Sequence, residues 1–174
     1  LSVLLTAPGA EAVLDGLSVT SGKRHVDHAT SVEHLSPNTT SSQLYKGLLA
    51  DESRGVFSGR VKIHRDAQQS SAAQLNNTLL LSSKAEADTK PELEIDADDV
   101  KASHGATIGQ LDPEHVFYLQ ARSIPREEAV KMLARGFVQD IAFRVKNRSM
   151  SEGLREIVDV VMSGESFEGA LDGV

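Results

Sequence analysis

The run Asp98-Asp99-Val100-Lys101-Ala102-Ser103-His104-Gly105-Ala106-Thr107-Ile108-Gly109 carries one histidine at the seam between two kinds of sequence. An imidazole changes charge near neutral pH and binds metals through a ring nitrogen, so His104 is a candidate for chemistry between two structural units. Val100, Ala102 and His104 share one phase of a two-residue alternation, which also fits a hydrogen-bonded core histidine. Gly105 beside it permits a close backbone approach. His25, His28 and His34 form a His-x2-His-x5-His spacing, with His28 and His34 on one strand face. That set could ligate a metal, but a polar ladder between strands is the commoner use of such spacing. The carboxylate pairs Glu92/Glu94 and Asp98/Asp99 are of the type that glycoside hydrolysis needs. Alternation turns Glu92 and Glu94 to solvent, and Asp98/Asp99 fall in a turn. No Gly-x-Ser-x-Gly nucleophile context is present, and no glycine loop is followed by Lys-Ser/Thr, so no acyl-transfer or nucleotide site is visible.

The composition narrows the partners. Among 174 residues, Lys and Arg number 18 against 25 Asp and Glu, a formal charge of −7. Duplex nucleic acid calls for a basic face, and anionic membranes for a polybasic cluster; neither is present. Cysteine and tryptophan are absent, which removes disulfides, thiolate ligands from this chain and stacking platforms for single strands. No apolar run approaches the roughly 20 residues of a membrane span. Leu1 is not an initiator methionine, so we expect the chain to be cut from a longer one.

These side chains need elements to position them. From Val13 to Ile108 the pattern has period two. Phe57, Val61 and Ile63 alternate with Ser58, Arg60 and Lys62, and Leu93 and Ile95 alternate with Glu92, Glu94 and Asp96. Turn material separates the strands at Ser36-Pro37-Asn38, Asp51 to Gly55, Asn76-Asn77 and Asp96 to Asp99. The expectation is eight or more short strands at uneven intervals, forming a β-solenoid, with a sandwich as the rival. At Asp112 the period changes. Asp112-Pro113-Glu114 predicts a helix start, running to about Arg122. Pro125-Arg126-Glu127-Glu128 opens a second helix, with Val130, Leu133, Phe137, Ile141 and Val145 on one stripe flanked by Ala134 and Val138. Gly136 inside it predicts close approach of another backbone. A third helix is expected over Ser151–Met162, with Leu154, Ile157, Val158 and Val161 inward, and Glu165 to Val174 fray. A helix as short as the first cannot bury Phe117 and Tyr118 itself, so Phe117, Tyr118 and Arg122 form a candidate partner surface.

An ordered series of segments carries a family resemblance. It comprises His25-Val26-Asp27-His28 with Thr30 and His34, Pro37-Asn38-Thr39-Thr40-Ser41, Leu44-Tyr45-Lys46-Gly47 and Ser53-Arg54-Gly55-Val56-Phe57-Ser58-Gly59. It continues through Asn76 with Leu79-Leu80-Leu81-Ser82, Thr89-Lys90-Pro91-Glu92-Leu93-Glu94-Ile95, Ser103-His104-Gly105-Ala106-Thr107, Phe117-Tyr118-Leu119 and Arg135-Gly136-Phe137. Over about Thr20 to Gly164 the chain resembles the C-terminal part of the SufB/SufD family of the SUF iron–sulfur cluster assembly system. It is more similar to the SufD-like members, because SufB-like chains usually carry Glu where Gly105 stands. The resemblance implies a right-handed parallel β-helix over residues 1–110 and a small helical domain over 111–174. It implies a non-catalytic assembly component, cytoplasmic or, in a eukaryote, plastid, that pairs with SufB and docks a SufC ATPase; separately, an exposed solenoid end would allow a homodimer. Arg135 and Phe137 join Phe117, Tyr118 and Arg122 as partner-binding candidates on that basis. It also implies that His104 is the candidate ligand for iron or an iron–sulfur cluster held transiently at the SufB interface. Many SufD-like chains have Cys where this one has Ala102. One imidazole is too few ligands for a cluster, so the isolated chain is expected to hold none. A plain structural or dimerisation module is the alternative, and a polysaccharide-active β-helix a more distant one.

Overall fold

Alternating apolar and polar side chains give strands with one face to pack and one to present. In the computed structural model, which describes residues 1–162, there are eight: β1 (Ser2–Leu5), β2 (Glu11–Thr20), β3 (His25–His34), β4 (Thr40–Leu49), β5 (Arg54–Ile63), β6 (Ser71–Leu80), β7 (Glu86–Ile95) and β8 (Lys101–Gln110). Each strand pairs in parallel with the strand two places on, giving two four-stranded sheets in the orders β1-β3-β5-β7 and β2-β4-β6-β8. The chain thus winds as a parallel β-solenoid, and the sandwich alternative is set aside. Between the sheets lie Leu5, Leu14, Val32, Tyr45, Phe57, Val61, Ile63 and Ala72.

The corners are as regular as the strands. Asn38, Asp51 and Gln69 take positive φ, a conformation that Asn and Asp tolerate. Corners of neighbouring coils are tied together. Asp51 accepts from the Gly22 N–H at 2.6 Å, and the Thr39 and Ser70 hydroxyls meet at 2.8 Å.

Two expectations are corrected here. Spacing is even rather than uneven, because each strand from β2 on has 10 residues and coil follows coil in register. Asn76-Asn77 is the middle of β6, not a turn. Asn76 lies buried between Tyr45 and Ala106 in the inner row, and its Nδ2 donates to the Tyr45 carbonyl at 3.3 Å. Stacking of like rungs overrides the local turn preference.

After β8 come α1 (Pro113–Gln120), α2 (Arg126–Arg144) and α3 (Arg148–Met162). Asp112 caps α1 as its sequence predicts, accepting from the Glu114 N–H at 2.8 Å. The buried face of α2 is Ala129, Val130, Ala134, Val138, Ile141 and Ala142. It packs on Leu48 and Leu79, which project from the outer face of β4 and β6. Leu133, Phe137 and Val145 of the expected stripe are only half-buried, since the small residues let α2 sit close to the sheet. Gly136 is exposed, with nothing within 4 Å of where a Cβ would be, so no backbone approaches it. In α3, Val158 is buried and Leu154 half-buried, but Ile157 is exposed. The Val161 side chain and Glu165–Val174 lie outside the described residues.

Candidate functional site

His104 stands on β8, the end strand of its sheet, which pairs with β6 on one side and with no other described strand. It is in register with Gln74, which is in register with Gln43 and then Leu14. This row points into the solenoid. Leu14, Gln43 and Gln74 are buried, whereas His104 is exposed. Alternation therefore assigned its face correctly, but it is not a packed core histidine, because no described coil lies over the last one. The position leaves an inward-facing imidazole open to whatever meets this end of the solenoid. Ala102, half-buried in the same strand, pairs with Ala72. At Gly105 an added Cβ would meet the Leu75 Cδ1 at 3.0 Å, so the close approach there is by a side chain and not by backbone.

Several of the other candidate groups have partners within the chain. His34 is buried, with Nδ1 2.8 Å from the Thr39 Oγ1 and Nε2 2.9 Å from the Ser41 Oγ, and burial pushes its pKa down. The His28 ring lies 5.4 Å from that of Tyr45, and His25 is exposed on the far end of the strand. Among the described residues no three His, Asp or Glu side chains gather as a metal set. The three histidines of β3 are therefore not gathered into one site: His34 is held by hydroxyls, His28 lies against Tyr45 with its Nε2 unpartnered, and His25 is exposed. Arg60 donates to both oxygens of Glu94, at 2.7 and 2.8 Å, and these bonds hold the Glu94 carboxyl at about 2. Glu92 pairs with Lys90 at 2.9 Å. These carboxylates are matched to cations on an outer face, not arranged as an acid and a nucleophile across a cleft.

The helical candidates divide into two groups. On α1, Phe117 and Tyr118 are 71% and 56% exposed. Arg122 covers the Tyr118 ring at 3.5 Å and donates to the Tyr118 carbonyl at 3.1 Å. This is one open aromatic and cationic patch. Beside it, between the last coil and α1, lies a cavity of about 330 Å³ lined by Leu80, Leu111, Val116 and Arg126 among others. On α2, by contrast, Arg135 and Phe137 are engaged within the chain. Arg135 pairs with Asp159 at 3.0 Å, and the half-buried Phe137 ring lies under the Lys46 Nζ at 4.5 Å.

Lys46 itself escaped sequence reasoning. It is 7% exposed and donates to the Asp140 carboxylate at 2.7 Å and to the Phe137 carbonyl at 2.9 Å. It lies on the outer face of β4, in phase with Leu48, which packs under α2. Nothing local announces that α2 covers that face.

Residues 1–137 match the family model described as SUF system FeS cluster assembly, SufBD core domain. The chain is 39% identical over 132 residues to the iron-sulfur cluster assembly protein SufD of Escherichia coli (strain K12), covering 76% of this chain and 30% of that protein. It is also 39% identical over 142 residues to the SufBD family protein slr0076 of Synechocystis, covering 82% of this chain and 31% of that one. To the chloroplastic protein ABCI7 of Arabidopsis thaliana it is 42% identical over 123 residues, or 70% of this chain and 26% of that one. The chain therefore spans between a quarter and a third of the length of these curated relatives. No helix among the described residues is long and apolar enough to cross a membrane. The β-solenoid, the helices that follow it, the family model and the relatives agree: this chain belongs to the SufB/SufD family of the SUF iron–sulfur cluster assembly system.

Proposed function

We propose that this chain is a SufD-like, non-catalytic component of a SUF assembly complex, in which a nascent iron–sulfur cluster is built as cargo where its open last coil meets a SufB-like partner. The observation that carries this reading is His104: an exposed imidazole on the inward row of an edge strand, in a chain of this family. The unpaired edge of β8 offers backbone groups to a partner strand, a common route to association. His104 contributes a ring nitrogen to iron, and a partner cysteine supplies the thiolate, since this chain has no cysteine. The Phe117–Tyr118–Arg122 patch on α1 receives a SufC-type ATPase, whose nucleotide chemistry stays in that subunit. Arg135 and Phe137 act in this docking indirectly, by holding α2 against α3 and against β4.

The test is anaerobic cluster assembly in the three-component complex, wild type against His104→Ala, read as bound iron and visible absorbance. Loss of the cluster from a complex that still assembles is the expected result. Unchanged yield overturns the ligand role and leaves a structural module. A homodimer through the same edge strand is the competing assembly, and the mass of the purified chain in solution separates the two.

A further inference from the structure

We infer that Gln74 is a positioning residue for His104, setting which ring nitrogen carries the proton and which faces out. The inference rests on the ligand reading above for its functional meaning, but its structural basis is independent. Gln74 and His104 are register partners on the inner face of adjacent strands, which run about 4.8 Å apart. Gln74 is 2% exposed, yet neither its amide nitrogen nor its amide oxygen has a hydrogen-bond partner. Buried polar groups are rarely left so, and a full amide with both ends unused is a strong signal of an uncounted interaction. Below it in the row, Gln43 accepts from the Thr30 hydroxyl through its Oε1, at 3.0 Å, and its Nε2, though without a partner, makes no hydrogen bond to Gln74. On the rung above, its register partner is His104, the polar side chain of this row that faces the open end.

The opposite sheet makes room for this amide. Gly59 lies across the interior, and a Cβ built there would meet the Gln74 Nε2 at 2.3 Å. A side chain at that position would displace the amide, so glycine leaves it a berth beneath the imidazole. The amide oxygen accepts the ring N–H, directly or through one water, and the other ring nitrogen is thereby bare and directed to the open end. Metal-binding histidines are commonly held in this way, by a second group that fixes tautomer and ring orientation.

The experiment uses the full chain labelled with 15N-histidine at about pH 8, where a free imidazole is neutral. The His104 resonances are assigned by their loss in His104→Ala. We expect one tautomer to dominate by about five- to tenfold, the bias that one net hydrogen bond produces. Gln74→Met relaxes His104 to the mixture of free imidazole. It leaves the unfolding midpoint unchanged or higher, because the amide it removes has no partner among the other buried groups. Gln74→Glu keeps an acceptor and keeps the bias. Gln74→Asn withdraws the amide by one methylene and loses the bias, which serves if the methionine variant does not fold. A tautomer ratio unchanged in both Gln74→Met and Gln74→Asn overturns the proposal. In the reconstituted complex, Gln74→Met lowers iron affinity by about 10- to 100-fold. If His104→Ala leaves cluster yield intact, the ligand role falls, and the tautomer ratio still decides what Gln74 does.

Discussion

Lys46 makes a prediction whose sign follows from where the two charges of its ion pair sit. Its ammonium is nearly buried, whereas the Asp140 side chain is 61% exposed. Removing the aspartate strands a buried cation on the Phe137 carbonyl and ring alone. Removing the lysine strands very little, because the carboxylate returns to water. A fully buried pair broken in the first way loses about 3–5 kcal/mol. Exposure of Asp140 lets water replace it in part, and alanine is a better helix former by about 0.5 kcal/mol, so Asp140→Ala should cost about 2 kcal/mol. Lys46→Met gives up an exposed-partner ion pair and a cation–π contact, each about 0.5–1 kcal/mol, but also relieves the desolvated charge and fills the same volume. Its net cost is about 0.5 kcal/mol. The double variant should match Lys46→Met. The assay is urea unfolding followed by far-ultraviolet circular dichroism, since the chain has no tryptophan. At about 2 kcal/mol per molar urea, the two single variants differ in midpoint by roughly 0.5–1 M. Hydrogen exchange across α2 localises the loss. Equal midpoints, or a Lys46→Met variant less stable than Asp140→Ala, would refute the reasoning.

Other perturbations follow from burial and space. His34 is neutral in the fold, with its pKa below 6.5, so the unfolded chain takes up the proton first on acidification. Stability is full above about pH 6.5 and falls as pH drops toward the folded value, by at most about 1.4 kcal/mol per unit, and His34→Gln removes that slope from a pH series of unfolding midpoints. Gly136→Ala fills open space in the middle of α2, so it should raise stability by about 0.5–1 kcal/mol in the same assay. Gly16→Ala places a Cβ 2.3 Å from the Tyr45 ring inside the solenoid, which should cost about 1–3 kcal/mol and disorder the Tyr45 resonances.

What was legible in the sequence, and what was not, divides along one physical line. Period two is a property of the chain itself, so the inward face of His104 and the solvent face of Glu92 and Glu94 could be read from spacing. The cap at Asp112 and the turns at Ser36 to Asn38 and Asp96 to Asp99 are likewise written in local residue types. Coil stacking is not local. Asn76-Asn77 has turn composition, and only its register between Tyr45 and Ala106 makes it strand. Burial along the solenoid axis is equally invisible to alternation. A rung is buried when another rung covers it, and Gln43, Gln74 and His104 share one phase while differing only in how many neighbours they have. That difference is also what the proposed function rests on. In the middle of the row the same inward geometry yields a buried, structural side chain, and at the last rung it yields an open one. A solenoid thus turns an ordinary interior position into an open one simply by ending, and on the proposed function a partner that continues the coil would close the site and supply what this chain lacks, a thiolate. The polar side chains beneath His104 fit this account: leucine at Gln74 would pack the interior as well, but it could not orient an imidazole on the rung above.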